Sequence, residues 1–217
     1  MFKIIGFAAL FSAAVPFISQ PILRLAADAF DQLAIGILFG SFTAVLILFS
    51  IPITLLGTIS PFAIRLAIHD TATAGRVSGR IYAISTLGSF IGTFLPVLVT
   101  IPLIGTSMTF VLFSLILISV SVWGLWIIKK RRWAFVFLVI GILILGYGAI
   151  NGNRPIKATA GQIYETESAY NYIQVLEVED YHYLRLNEGQ GVHSIYHPDT
   201  YAYYGPWMQV LAAPFFN

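Results

Sequence analysis

Residues 81–128 read IYAISTLGSFIGTFLPVLVTIPLIGTSMTFVLFSLILISVSVWGLWII, with no Asp, Glu, Lys or Arg in the whole run. A helix needs about 20 apolar residues to cross a hydrocarbon core of roughly 30 Å. This run holds two such spans, 81–101 and 107–128. Between them Ile101-Pro102-Leu103-Ile104-Gly105-Thr106 reads as a turn by its Pro and Gly content. Residues 4–23, 32–64 and 133–153 are likewise uncharged. No soluble core needs uncharged runs of this length. The chain is 58% hydrophobic and 10% charged, against roughly 25% charged in an ordinary soluble domain. An integral, multi-pass membrane protein in contact with the lipid bilayer is expected.

The first run, Ile4 to Leu23, follows Lys3 and carries Pro16 and Pro21. A cleaved signal peptide is its rival reading, because Ala27-Asp28-Ala29 has the small-x-small form of a cleavage site. Four further spans make a membrane helix the preferred one. The run from Gln32 to Ile64 would reach about 48 Å as one helix, so it must tilt or break. Pro52 and Pro61 are the natural break points. A span over 33–56 followed by a re-entrant or interfacial piece reaching Arg65 is expected. The fifth span, 133–150, follows Lys129-Lys130-Arg131-Arg132, with Trp123, Trp126 and Trp133 flanking the cluster as interfacial aromatics do.

Basic loops stay in the cytoplasm. The loops with Arg65, Arg76 and Arg80 and with Lys129 to Arg132 should both lie there, and the uncharged turn at Pro102 should face outward. Five alternating spans then place everything after Ile150 outside the cytoplasm. Net charge is +2, with the basic residues at helix ends and not in a stripe, so nucleic acid is not an expected partner. The chain has no cysteine, which excludes disulfides, thiolate nucleophiles and cysteine-ligated metals. No histidine pair has helical metal-ligand spacing, so no zinc site is expected.

After the transmembrane part (1–150), Asn151-Gly152-Asn153-Arg154-Pro155 opens a linker taken as 151–162, and charged residues return. Tyr172 to Val178 and Tyr181 to Leu186 read as a hairpin with Glu179-Asp180 at the turn. Adjacent Val175 and Leu176 break the alternation, so a bulge is expected there. A third strand, Val192 to Tyr196, and a short helix from about Pro206 follow. Three strands in 163–217 are few for an independent domain, so a longer parent protein is expected.

Within the spans, Gly88 and Gly92 with Ser85 and Ser89 form one small-residue face, which lets helices approach closely in lipid. It reads either as a moving transporter interface or as static helix packing, the latter preferred. No acidic or histidine residue lies inside a span, which removes the usual mark of an ion pathway. In the soluble part, Leu184 to Tyr196 combines a strand, a polar Gly-bracketed turn and a strand carrying His193. Its polar groups, Gln190 and His193 among them, are candidates to line a small-molecule site. Tyr196, Tyr201, Tyr203 and Tyr204 read equally as an aromatic ligand wall or a hydrophobic face. His182 has no predicted acidic partner and reads as surface, and His197 reads as a turn residue.

The segments Glu167-Ser168-Ala169-Tyr170-Asn171-Tyr172-Ile173-Gln174-Val175 and Tyr183 to Ser194 resemble the N-terminal β-domain of spermidine synthase-like proteins. More narrowly, they resemble bacterial membrane-fused versions, and Gly75 to Gly92 with the turn at Pro102 to Gly105 resembles a helix pair of the major facilitator superfamily. The resemblance implies a bacterial plasma-membrane protein whose parent performs aminopropyl transfer. In that reaction an amine of putrescine attacks the activated methylene of decarboxylated S-adenosylmethionine, and methylthioadenosine leaves. It implies a polyamine or nucleotide-like ligand, with Asn171 and His193 as substrate-binding candidates beside Gln190 of the polar turn and Tyr204 of the candidate aromatic wall. Asn171 stands where the family has a substrate-contacting Gln, and Leu186-Asn187 stands in the place of its Leu-Asp-Gly turn. The family's Tyr-His-Glu signature has no match near Pro206-Trp207-Met208. Its glycine-rich nucleotide loop and catalytic Asp belong to a Rossmann-like domain expected beyond Asn217, so this chain alone is expected to be inactive. A multi-pass transporter, or a small-molecule sensor with a β-rich appendage, is the other reading. The oligomeric state is left open by the sequence.

Overall fold

The computed structural model describes residues 1–30, 36–151, 159–187 and 192–200. They form six α-helices followed by four β-strands. The chain divides into two compact units, Met1–Pro96 with Thr106–Asn153 and Val97–Gly105 with Arg154–Asn217.

The helices are α1 Phe2–Phe30, α2 Gly36–Gly57, α3 Ile59–Ala67, α4 Ala74–Leu95, α5 Ile101–Ile127 and α6 Arg131–Asn151. Four helical stretches are long and apolar enough to cross a membrane: Phe2–Leu23, Leu38–Ala67, Thr71–Ile127 and Arg131–Ile150. The helix after Gly57 resumes at Ile59, and Thr58 Oγ1 turns back to the Leu55 carbonyl at 2.7 Å. The expected break in the 32–64 run therefore falls between Pro52 and Pro61. The third stretch, 57 residues long, would reach about 85 Å if straight, nearly three bilayer cores. It breaks at Gly105 (φ 77°, ψ 167°), a left-handed geometry that glycine adopts without a Cβ penalty. The turn expected over Ile101 to Thr106 is thus narrower. Pro96–Thr100 forms one π-helical turn, helix resumes at Ile101, and Gly105 alone leaves it.

Apolar residues that would be buried in a soluble protein are exposed along these helices, among them Leu38, Ile53, Leu103, Trp123 and Leu143, each at least 63%. That exposure fits helices long and apolar enough to cross a membrane. Thr93 and Ser119 return their hydroxyls to the preceding turn, at Ser89 O (2.8 Å) and Leu115 O (2.8 Å), whereas Ser114 Oγ is buried with no hydrogen-bond partner among the described residues. In lipid the backbone's polar groups must be satisfied internally.

The bundle core joins α1, α5 and α6 through Ala9, Ile118, Leu125, Ala134 and Phe137. Small residues set the approach. A Cβ at Gly6 would stand 2.5–2.8 Å from the Phe137 ring, and one at Gly124 would collide with the Phe2 ring. Ser121 Oγ donates to Phe2 O at 2.8 Å, which ties the start of α1 to the end of α5. Lys3 Nζ stands 4.2 Å from the centre of the Trp133 ring. The N-terminus and the α5–α6 turn therefore occupy the same end of the bundle.

The strands β1 Gln162–Glu167, β2 Tyr172–Val178, β3 Tyr181–Leu186 and β4 Val192–Tyr196 form an antiparallel meander in sequence order. The hairpin strands and Val192–Tyr196 lie where the sequence placed them. The sheet has one strand more than expected, β1, which begins at the edge of the assigned linker. The expected bulge is opposite Val175 and Leu176 but belongs to β1: Gln162 pairs with Leu176 and Tyr164 with Val175, leaving Ile163 extra. The β2–β3 turn has Glu179 at φ 51° and Asp180 at φ 66°. Two consecutive positive φ values match the mirror-image turn that follows the right-handed twist of a two-residue hairpin.

Candidate functional site

Three polar groups of different chemistry share one face of the sheet. Cross-strand partners share a face, and Glu165 pairs with Gln174, which pairs with Arg185. A carboxylate, a carboxamide and a guanidinium thus form a row across β1, β2 and β3. Gln174 is 4% exposed. Its Nε2 donates to Thr159 Oγ1 (2.9 Å) and Gln162 Oε1 (2.6 Å), which offsets the 1–3 kcal/mol or so that an unpaired buried amide costs. Glu165 Oε2 accepts from Tyr172 OH (2.6 Å) and Gln162 Nε2 (2.8 Å). Arg185 Nε is buried with no hydrogen-bond partner among the described residues. At this face the chain holds both charge signs and a fixed amide, a set suited to binding a polar ligand.

At the end of the row the backbone is locked by two short polar motifs. Ser168 Oγ accepts from the amides of Tyr170 (3.3 Å) and Asn171 (2.9 Å), while Ser168 N–H donates to Asn171 O (2.8 Å). That closes the β1–β2 turn. Asn187 sits at φ 57°, a conformation Asn tolerates better than most residues because its side chain bonds locally. Its N–H donates to Tyr172 O (2.7 Å) and its Oδ1 accepts from Tyr172 N (3.3 Å). Its Nδ2 reaches Asn171 Oδ1 at 2.9 Å, so the two carboxamides meet across sixteen positions of chain.

His193 is the extra residue of a second irregularity. Leu184 pairs with Ser194 and Arg185 with Val192, so β4 has one residue more than β3 at this point. Such bulges re-aim side chains, and His193 is exposed. Gln190 and Tyr204 lie outside the described residues, as do Tyr201, Tyr203 and the helix expected from Pro206. His182 has an acidic neighbour after all: Glu177, its direct cross-strand partner, stands 3.9 Å away, both side chains about two-fifths exposed. The Glu–His pair was hidden because register, not spacing, brings it together. His197 is a turn residue, its Nδ1 accepting from Asp199 N (3.0 Å) and its ring lying 4.5 Å from that of Tyr181.

The small-residue face of α4 has no neighbour among the described residues. A Cβ at Gly88 or Gly92 would meet nothing within 4 Å, Ser85 and Ser89 are exposed, and α4 contains no buried residue.

Sequence reasoning passed over Gln174, Glu165 and Arg185. Gln174 was visible only as a polar residue in an otherwise apolar strand, a signal that does not identify its partners. No protein-family model, no curated protein and no solved structure matches this chain.

Proposed function

We infer that this chain is the membrane-anchoring part and β-domain of a spermidine synthase-like protein. Its parent would act as an aminopropyltransferase on a polyamine and decarboxylated S-adenosylmethionine. One observation carries the reading: Asn171, matched by the resemblance to a substrate-contacting Gln, and Asn187, matched to the Leu-Asp-Gly turn, hydrogen-bond to each other at 2.9 Å. The reaction needs a neutral amine, hence an acidic group to take its proton, and it needs both substrates oriented in one site. This chain would contribute orientation and polar contacts through Asn171, Asn187, His193 and the Glu165–Gln174–Arg185 row. Proton removal and nucleotide binding are not assigned to any residue of this chain.

On this reading the helices make five spans, α4 and α5 crossing separately on either side of Gly105. Charge alternation puts the sheet outside the cytoplasm. The proximity of Gly105 to Glu167, where a Cβ would stand 2.9 Å from Oε2, supports the sheet and the uncharged turn lying on one side. That placement favours a second reading, a polyamine-binding sensor, because an activated nucleotide made in the cytosol would not reach the sheet.

The test uses membranes from cells expressing the complete natural gene, supplied with putrescine and decarboxylated S-adenosylmethionine labelled in its aminopropyl group. Labelled spermidine that falls at least tenfold with Asn187→Ala supports the transferase. Putrescine binding with no transfer at all supports the sensor, and neither binding nor transfer refutes both.

A further inference from the structure

The α5–α6 turn concentrates four cations on a very short connection. Lys129 takes φ 57°, its N–H donates to Trp126 O (3.0 Å), and Lys130 N–H donates to Leu125 O (2.9 Å). These two bonds close α5 in a Schellman arrangement, and α6 begins at the next residue, Arg131. Lys129, Lys130, Arg131 and Arg132 are all exposed. No Asp or Glu occurs between Asp70 and Glu165, and among the described residues none of the four is in an ion pair. Lys129 and Lys130 stand at a helix C-terminus, where a cation is favourable, but Arg131 and Arg132 open α6, where the macrodipole disfavours one. The first turn of α6 holds no acidic residue to relieve this. An external anion would.

Directly below this end runs an apolar groove of about 440 Å³ between α5 and α6. Its walls include Leu115, Ser119, Trp123 and Trp126 from α5 and Ile142 and Leu145 from α6. From Trp126 to Leu115 it descends eleven helical residues, about 16 Å, close to half the roughly 30 Å hydrocarbon core. Arg131 lies 5.7 Å from the Trp126 ring at the mouth of the groove, so cation and groove are continuous.

We propose that this groove and the basic turn form a binding site for one anionic phospholipid. Its phosphate sits among Lys129, Lys130, Arg131 and Arg132, and an acyl chain lies along Trp126, Trp123, Ser119 and Leu115 within one leaflet. Basic pockets between membrane helices bind acidic headgroups in this way. The site is separate from the polar row of the sheet and does not depend on the function proposed for it.

The test is retention of lipid by the detergent-purified protein, measured by native mass spectrometry with phosphatidylglycerol and phosphatidylcholine of identical chains. The site predicts at least about tenfold preference for phosphatidylglycerol in the unaltered protein. Replacing the four basic residues by Gln abolishes the preference. Ser119→Trp, which fills the groove and leaves the charges in place, lowers phosphatidylglycerol retention at least about fivefold. Excess glycerol 3-phosphate does not displace the lipid. Equal retention of the two lipids by the unaltered protein overturns the proposal, as does displacement by glycerol 3-phosphate, which would mark a headgroup-only site. Full retention in Ser119→Trp overturns the acyl groove.

Discussion

Replacing Phe137 by Ala tests whether the helices are held together in lipid or in water. The Phe137 ring is 1% exposed and packs edge-on to Phe7, with centroids 5.5 Å apart and planes at 84°, and 6.1 Å from Trp133. In a water-soluble core Phe→Ala costs about 3–5 kcal/mol, because the lost transfer from water adds to the cavity. In a bilayer the unfolded reference places the ring in hydrocarbon, so the transfer contribution largely vanishes. What is left is the packing lost where the ring stood, chiefly its two aromatic contacts at about 0.5–1.5 kcal/mol each. Phe137→Ala should therefore cost about 2 kcal/mol, read by reversible unfolding in mixed micelles with the fluorescence of Trp133 as reporter. A loss of about 4 kcal/mol or more would mean that the ring leaves the core for water, and the membrane account of α1, α5 and α6 would fail. A loss near zero would refute the packing of Phe137 itself.

Gly161 sits at φ 76°, and a Cβ there would collide with the Glu177 carbonyl. Gly161→Val should abolish the β-sheet signal in amide exchange on β1 and β2 while leaving helix content by circular dichroism unchanged. At Asn187, Gly keeps the left-handed backbone and Ala does not, so Ala should cost the sheet about 1–2 kcal/mol more than Gly in the same measurement. Equal losses would show that the side-chain bonds to Tyr172 and Asn171, and not the backbone, set the cost. The double variant Gly88→Leu with Gly92→Leu should not destabilise the isolated chain beyond about 0.5 kcal/mol. A loss above about 1 kcal/mol would reveal a partner for that face within the chain.

The long apolar helices were legible because they depend on a one-dimensional property, the length of uncharged runs. Thus α2, α5 and α6 fall where those runs lie, and three strands fall where alternation and turn chemistry bracket them. β1 was missed because Gln162-Ile163-Tyr164-Glu165-Thr166-Glu167 has few apolar residues. Its place comes from pairing with β2 and not from its own pattern. The site was legible only in part for the same reason. Asn171 and Asn187 were found through a resemblance to turn motifs, and both are fixed by local hydrogen bonds. The Glu165–Gln174–Arg185 row and the Glu177–His182 pair depend on strand register: the first link on that of β1 with β2, which is interrupted by the bulge at Ile163, and the others on the unbroken pairing of β2 with β3. A small-residue face such as that of Gly88 and Gly92 shows capacity for close packing but does not name its partner.

The absence of cysteine makes the most direct measurement a clean one. Single substitutions Glu177→Cys on the sheet and Lys130→Cys in the α5–α6 turn place one thiol each at exposed positions on opposite sides of the expected membrane. They would be treated in intact cells with a membrane-impermeant maleimide. The account predicts labelling of Glu177→Cys from outside, and of Lys130→Cys only after permeabilisation. Labelling of Lys130→Cys from outside, with Glu177→Cys protected, would invert the topology and place the sheet in the cytoplasm. Immediate labelling of both would contradict a membrane crossing between them.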